Sequence, residues 1–429
     1  MYFGRCKGRK IEVDFSGGDI TSDAGILLLK NADEKINLTT RIAKILNDPR
    51  VKKYCHHSVL SMLRQLVYGI GVGYEDLNDH DQTRNDKLVQ TAVGSDKQLA
   101  SSPTLCRFEN GVDRKSLIEM TKVLIQIFIE SHTSPPKELI LDFDGTDDEV
   151  HGNQAGGFFH GYYHHQCFLP LYVFCGNHLL IAYLRPGNVP DSKHSWGILK
   201  LLVKELRKHW PDVAITFRGD GAFCRHNMFN WCECNDINYI TAIPANNRII
   251  KHGQKFVDKA NTNFNKTKGK QRVFGQFHYA AETWKRSRRI IVKAEFNRHG
   301  SNTRYIVTNL VGTPKALYEW TYCARGEMEN RIKEQQLSLF ADRTSSKNWL
   351  ANQFRVLLAA AAYTLLESIR RITLKKTELA KATCSTIRLK LLKIGAVVVR
   401  NTRTIKAMLS STYPWQVLFK LVNYRLHTA

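Results

Sequence analysis

The stretch ELILDFDGTDD, residues 138–148, reads as a buried strand that ends in acid. A run of aliphatic and aromatic residues gives the strand, and Gly145 opens its end. Asp142 and Asp144 fall on one face because side chains alternate along a strand. Asp144, next to the glycine, is the favoured functional acid; Asp147 and Asp148 read as turn residues or supporting ligands. ITFRGDGAF (215–223) repeats the pattern and ends at Asp220, with Asp212 placed before its strand as a cap. A third acid, Glu329, lies in YCARGEMENRIKEQ (322–335), which reads as a helix. Two strand-end aspartates and one helix glutamate suit a pocket for two divalent metal ions. There, one ion activates an attacking oxygen and the other stabilises the leaving oxygen of a phosphoryl transfer. Carboxylate oxygens are the ligands Mg²⁺ prefers, and Mn²⁺ is the natural substitute.

The flanking segments set the architecture. After the first strand come CFLPLYVFC (167–175) and HLLIAYLRP (178–186) as strands two and three, and SKHSWGILKLLVKELRKHW (192–210) with helical spacing. VAITFRG (213–219) is strand four, HNMFNWCECN (226–235) a short helix and NYITAIP (238–244) strand five. Three strands, then helix, strand, helix, strand, is the order of an α/β, RNase H-like mixed-sheet core. In it the first and fourth strands are neighbours, so Asp144 and Asp220 meet. The interval from Asp220 to Glu329 is too long for a simple loop. It reads as a β-rich insertion: a lysine-rich loop, KANTNFNKTKGKQR (259–272), then strands VFGQFHY, RRIIVKAEF and TRYIVTNL. The expected organisation is a helical DNA-end-binding domain (1–135), the core's first part (136–245), the insertion (246–317), the core's second part with the glutamate helix (318–371), and a basic C-terminal DNA-binding or dimerisation region (372–429).

On a uniform α-helix starting at Tyr322, residues Arg325, Glu329, Lys333 and Gln336 share one face, while Glu327 and Glu334 point away. Tyr322-x2-Arg325-x3-Glu329 resembles the Y-R-E signature of DDE transposases from bacterial insertion sequences. The segments LDFDGTDDEVHG, HGYYHHQCFLPLYVF, LRPGN and NRIKEQQLSLFADRTS are similar to the insertion-sequence family thirteen-eighty, over nearly the whole chain. That signature places a lysine seven residues after the glutamate; here Gln336 stands there, and Lys333 is the candidate to replace it. The resemblance implies Asp144, Asp220 and Glu329 as catalytic Mg²⁺ ligands. It also implies cleavage at terminal inverted repeats and joining of the 3′ ends to target DNA, by a homodimer on DNA. Tyr322, Arg325, Lys333 and Arg218 are the expected DNA contacts around the site, with a structural ion pair as the other reading of Arg218 and Arg325. One of Trp284 and Trp320 could stack on a flipped base, although core packing is favoured for each.

Bulk properties agree with a polyanion partner. The 429 residues carry a formal charge of +24, and 43% are hydrophobic. From Arg343 onward there are sixteen Lys/Arg and two acids, giving +14 of that +24. This density points to phosphate contacts. SSPTLCRFEN (101–110) starts a capped helix with Thr104 and Arg107 on one turn, either an ordinary helix or a DNA-reading one. MYFGRCKGRK has no apolar signal core, and the apolar run 356–366 is too short to cross a bilayer, so no membrane partner is expected. Ten scattered cysteines read as reduced thiols in a bacterial cytoplasm. Cys224, His226, Cys232 and Cys234 match no zinc spacing, and Gly69, Gly71 and Gly73 lack the strand and Lys-Ser/Thr of a phosphate loop. Two other functions fit less well: a metal-dependent nuclease without strand transfer, and a non-catalytic DNA-binding relic or repressor.

Overall fold

A computed structural model describes residues 1–190 and 192–428. The chain forms two units, Leu124–Lys333 and Met1–Val123 with Glu334–Ala429.

The unit Leu124–Lys333 is built on one eight-stranded mixed sheet. Its strands in chain order are β1 (Glu138–Gly145), β2 (Leu171–Cys175), β3 (His178–Tyr183), β4 (Ala214–Gly219), β5 (Ile237–Ala242), β6 (Gln271–Tyr279), β7 (Arg288–Asn297) and β8 (Gly300–Thr308). Their spatial order is β6-β7-β8-β5-β4-β1-β2-β3. β1, β4 and β5 run parallel, and the other pairs are antiparallel. The parallel strands are buried on both faces and so read as near-continuous apolar runs. Helices α1 (Ser195–His209) and α2 (His226–Cys234) cross between them. Leu199, Leu202 and Leu206 of α1 and Met228 and Phe229 of α2 pack on Leu141, Phe143, Ile215 and Phe217 of the sheet.

The strands expected as an insertion all form, and they extend this same sheet through the β5–β8 pairing. The expected lysine-rich loop at 259–272 is a correction. Residues Asn247–Thr267 form a helix, α3, and only Lys268–Lys270 make the turn into β6. Its polar, Asn- and Thr-rich surface suggested a loop. Ile249, Phe256, Val257 and Ala260, spaced as one helical face, decide otherwise by packing on the sheet. Gly275 on β6 makes room for this helix, since a Cβ there would lie 2.0 Å from the Phe256 ring.

The other unit is largely helical around the buried helix Trp349–Thr373, which packs on Ile26–Ile36, Val59–Val72 and Gln416–Thr428. Thus residues 1–123 and 334–429 share one core. The helices of the N-terminal region begin at Ile26, and the first 21 residues carry strands instead. Tyr2–Cys6 and Arg9–Glu12 form an antiparallel hairpin, and Ile20–Thr21 pairs with Ala396–Arg400, itself paired with Ile405–Leu409. No helix among the described residues is long and apolar enough to cross a membrane.

Candidate active site

The parallel pairing of β1 and β4 puts Phe143 opposite Gly219. The next residues, Asp144 near the end of β1 and Asp220 just past β4, therefore lie side by side at the carboxyl ends of two adjacent strands. Such strand ends are where open α/β sheets place their sites. Asp220 turns the chain: its Oδ1 accepts from the Ala222 amide at 2.9 Å and caps the short turn Gly221–Phe223. Asp144 accepts from its neighbour's amide, Gly145 N, at 3.0 Å.

The third acid arrives on the segment after β8. A small apolar cluster of Leu317 and Tyr318 with Ile240, Ile291 and Ile306, joined by Tyr322, fastens this segment to the sheet. It is not the uniform helix assumed from the sequence. After a single α turn at Pro314–Ala316, Leu317–Tyr322 is a wide π turn, Cys323–Arg325 a tight 3₁₀ turn, and Gly326–Lys333, α4, is α-helical. Glu327 is exposed on α4, and its carboxylate is the last of several influences on the Asp142 carboxyl. Arg325 and Glu329, four apart, do face each other.

Arg325 ties the site together. Its Nη1 donates to Asp144 Oδ2 at 2.7 Å and its Nη2 to Glu329 Oε1 at 2.7 Å. Burial is the largest influence on Asp144 and lifts its carboxyl. The Arg325 guanidinium opposes that lift, the Asp220 and Glu329 carboxylates add to it, and the carboxyl ends at about 7. Three acids thus share one neighbourhood, with Arg325 the cation bonded to two of them. Among the described residues no three His, Cys, Asp or Glu side chains converge closely enough to hold a metal ion. The donor set is nevertheless all hard oxygen, with more negative charge than Arg325 balances, which suits a divalent cation.

Beneath this layer, Asp142 and Arg218 stand directly opposite each other across β1 and β4. Arg218 donates to both Asp142 oxygens, and its Nη1 donates to the Thr321 carbonyl. With 6% of its surface exposed, Arg218 is a strut between sheet and helix segment rather than a DNA-facing group. Burial raises the Asp142 carboxyl against the pull of Arg218. The signal for this pair was in the sequence. Arg218-x-Asp220 and Asp142-x-Asp144 have the same spacing, so pairing the two strands in register must juxtapose both couples.

The remaining expected contacts divide. Lys333 is exposed, as is Glu329. Arg107 is exposed on the helix Ser102–Asn110 and donates to Thr104 Oγ1 at 3.2 Å. Tyr322 is half-buried against Tyr318, with ring centroids 5.7 Å apart. Trp284 packs against Phe229, Tyr279 and the Arg288 guanidinium. Trp320 is 77% exposed, so core packing does not hold for it. Burial pushes the Cys224 and Cys232 thiols up to about 11 and about 12, which keeps them protonated.

Much of the basic charge after Arg343 turns inward. Arg355 pairs with Glu109 and Arg370 with Glu334, whereas Arg343, paired with Glu75, stays exposed. Arg388, Arg400 and Arg425 donate to backbone carbonyls of Ile70 and Gly71, Lys87, and Thr373 and Lys375. Lys347, Lys375, Lys376, Lys381, Arg403, Lys406 and Lys420 remain exposed.

Comparison with known proteins identifies a family. The family described as Transposase DDE domain group 1 matches residues 3–429. Among solved structures, one similar chain is from the cryo-EM structure of the piggyBac transposase synaptic complex with hairpin DNA. It is 11% identical with a TM-score of 0.47, over 86% of this chain and 79% of that one. No curated protein matches the sequence. With strand-end Asp144 and Asp220 beside helix-borne Glu329, and the family match running almost from end to end, the chain belongs to the DDE transposases of group 1 and is a DNA-cleaving and DNA-transferring enzyme.

Proposed function

We propose that this transposase cuts DNA at the terminal inverted repeats of a bacterial insertion sequence and joins the freed 3′ ends to target DNA, with Asp144, Asp220 and Glu329 as its catalytic acids. The observation that carries this reading is the side-by-side placement of Asp144 and Asp220 at the carboxyl ends of paired parallel strands, with Arg325 holding Glu329 beside them. The three carboxylates would hold two Mg²⁺ ions, which supply a more acidic attacking hydroxyl and charge neutralisation at the leaving oxygen. We read the sheet order and its helices as an RNase H-like core, and family thirteen-eighty, with a homodimer on paired ends, as the kind of element and assembly. The sequence resemblance supports these finer assignments.

The chain's own groups have distinct tasks. Asp144 and Asp220 are positioned by backbone amides at fixed strand ends, so their geometry does not depend on substrate. Arg325 holds Glu329 in place and neutralises part of the acid cluster until DNA and metal arrive. Lys333 lies one turn beyond Glu329 on α4, exposed, where its ammonium would meet a phosphate. The Asp142–Arg218 strut fixes the segment carrying Arg325 relative to β1 and β4.

The test uses Asp144→Asn, Asp220→Asn and Glu329→Gln with DNA bearing the element's ends. Each is expected to lose cleavage by several orders of magnitude while binding DNA nearly as the parent does. A strand-transfer assay with precut ends separates a transposase from a simple nuclease. A parent that cuts but never joins precut ends sinks the joining step. An Asp144→Asn protein that still cuts, beside an inactive Asp142→Asn, sinks the assignment on β1.

A further inference from the structure

The hairpin of Tyr2–Cys6 and Arg9–Glu12 has no core of its own. Every residue from 1 to 20 is exposed except Gly4, which is half-buried. Its turn is Lys7-Gly8, with φ of 48° and 82°, the left-handed pair that a two-residue hairpin turn requires. The register sets Arg5 opposite Lys10 and Cys6 opposite Arg9. Arg5, Lys7, Arg9 and Lys10 thus crowd the tip, and no acid occurs before Glu12. Lys10 reaches Glu12 at 2.5 Å, and Arg5 donates to the Gly8 carbonyl at 3.2 Å. Lys7 and Arg9 have no acidic partner among the described residues.

Two physical costs fall on this element. A two-stranded hairpin alone is at best marginal in water, and like charges directly across a ladder destabilise it. Burial does not offset either cost here. A polyanion would offset both, by neutralising the Arg5–Lys10 repulsion and ordering the ribbon against a surface. A second copy of the chain would instead bring two cationic tips together.

We propose that residues 2–12 form a basic β-ribbon that binds duplex DNA, its four cations set on phosphates. The major groove, about 12 Å wide, admits a two-stranded ribbon. This inference rests on the DNA-substrate reading above but concerns residues other than the three acids.

The experiment uses the full chain and a fluorescent mixed-sequence DNA duplex, with affinity measured over a range of salt. The variant combines Arg5→Ala, Lys7→Ala, Arg9→Ala and Lys10→Ala. Each phosphate contact contributes about 0.9 to the slope of log affinity against log salt, so losing four should flatten it by about 3.6. Thermal unfolding should not move, because the hairpin carries no core. Lys10→Glu is the second variant. It puts an acid opposite Arg5, which favours the hairpin, yet it should weaken DNA binding and lower the slope. An unchanged slope in both variants overturns the ribbon, as does a change in sedimentation mass with unchanged DNA affinity, which would assign the hairpin to a second copy. A parent that shows no salt-dependent binding to the duplex overturns the DNA reading together with the ribbon. A parent that binds steeply while the variants match it overturns the ribbon alone.

Discussion

Asp144→Asn should stabilise the metal-free protein at alkaline pH while destroying its activity. The carboxyl stands at about 7 in the folded chain against a usual value of 3.8. Between those pH values the folded state holds a proton that the unfolded state has released, so stability falls as pH rises through that window. Above about pH 7 the penalty is fully present, and below about pH 4 it is absent. Each tenfold in proton affinity is worth about 1.4 kcal/mol, so the gap corresponds to something on the order of 4 kcal/mol. Asparagine keeps the shape and an acceptor for Gly145 N but cannot ionise. It also takes from Arg325 one of its two carboxylate partners. Because that lost pairing offsets part of the gain, the net at pH 8 is roughly 2 kcal/mol. For folding units of 150–250 residues this is a rise of roughly 4–8 °C in unfolding temperature. The assay is calorimetry of parent and variant in chelator from pH 5 to 8. The advantage should shrink as pH falls, and Mg²⁺ should erase it by stabilising the parent alone. A variant less stable than the parent at pH 8, or a difference independent of pH, would refute the view that Asp144 is an acid held at the folded state's expense.

Arg218→Ala leaves Asp142 buried and unpaired, and should cost roughly 3–5 kcal/mol in denaturant unfolding at pH 8. The loss should be smaller at pH 5, where the raised Asp142 carboxyl is more readily neutralised; an equal loss at both would argue against the buried pair. Lys333→Ala should slow cleavage and strand transfer tenfold or more with unfolding unchanged, and activity within about twofold of the parent would mark it as a surface Glu–Lys pair. Gly25→Ala should destabilise its unit by several kcal/mol, because the added Cβ would lie 2.0 Å from the Leu391 carbonyl oxygen and 2.4 Å from the Leu392 Cα, backbone that no rotamer change moves; a neutral result in thermal unfolding would contradict that packing.

Much of the site was legible in the chain itself. β1 and β4 are apolar runs buried on both faces, and each ends at a glycine beside an acid, so the runs mark the strand ends and the glycine favours Asp144 over Asp142. The strands after α3 were equally legible, because β-branched runs bounded by turns announce themselves locally. What escaped depended on partners distant in sequence. The matched spacing of Asp142-x-Asp144 and Arg218-x-Asp220 offers Arg218 to Asp142 once the strands pair, but burial is what commits it inward. Only the sheet beneath α3 turns an Asn- and Thr-rich stretch into a helix. A wheel of 100° per residue could not foresee the π and 3₁₀ turns ahead of α4. The charge after Arg343 is visible in composition, but whether an arginine meets solvent or a buried carbonyl is set by what folds around it, as Arg388 and Arg400 show. Local patterns of apolar and acidic residues determined the strands and their acids, since those preferences act within a few residues. The pairing of charges, the bend of the glutamate segment and the exposed hairpin were decided by tertiary structure, because burial and strand register are properties of the assembled chain.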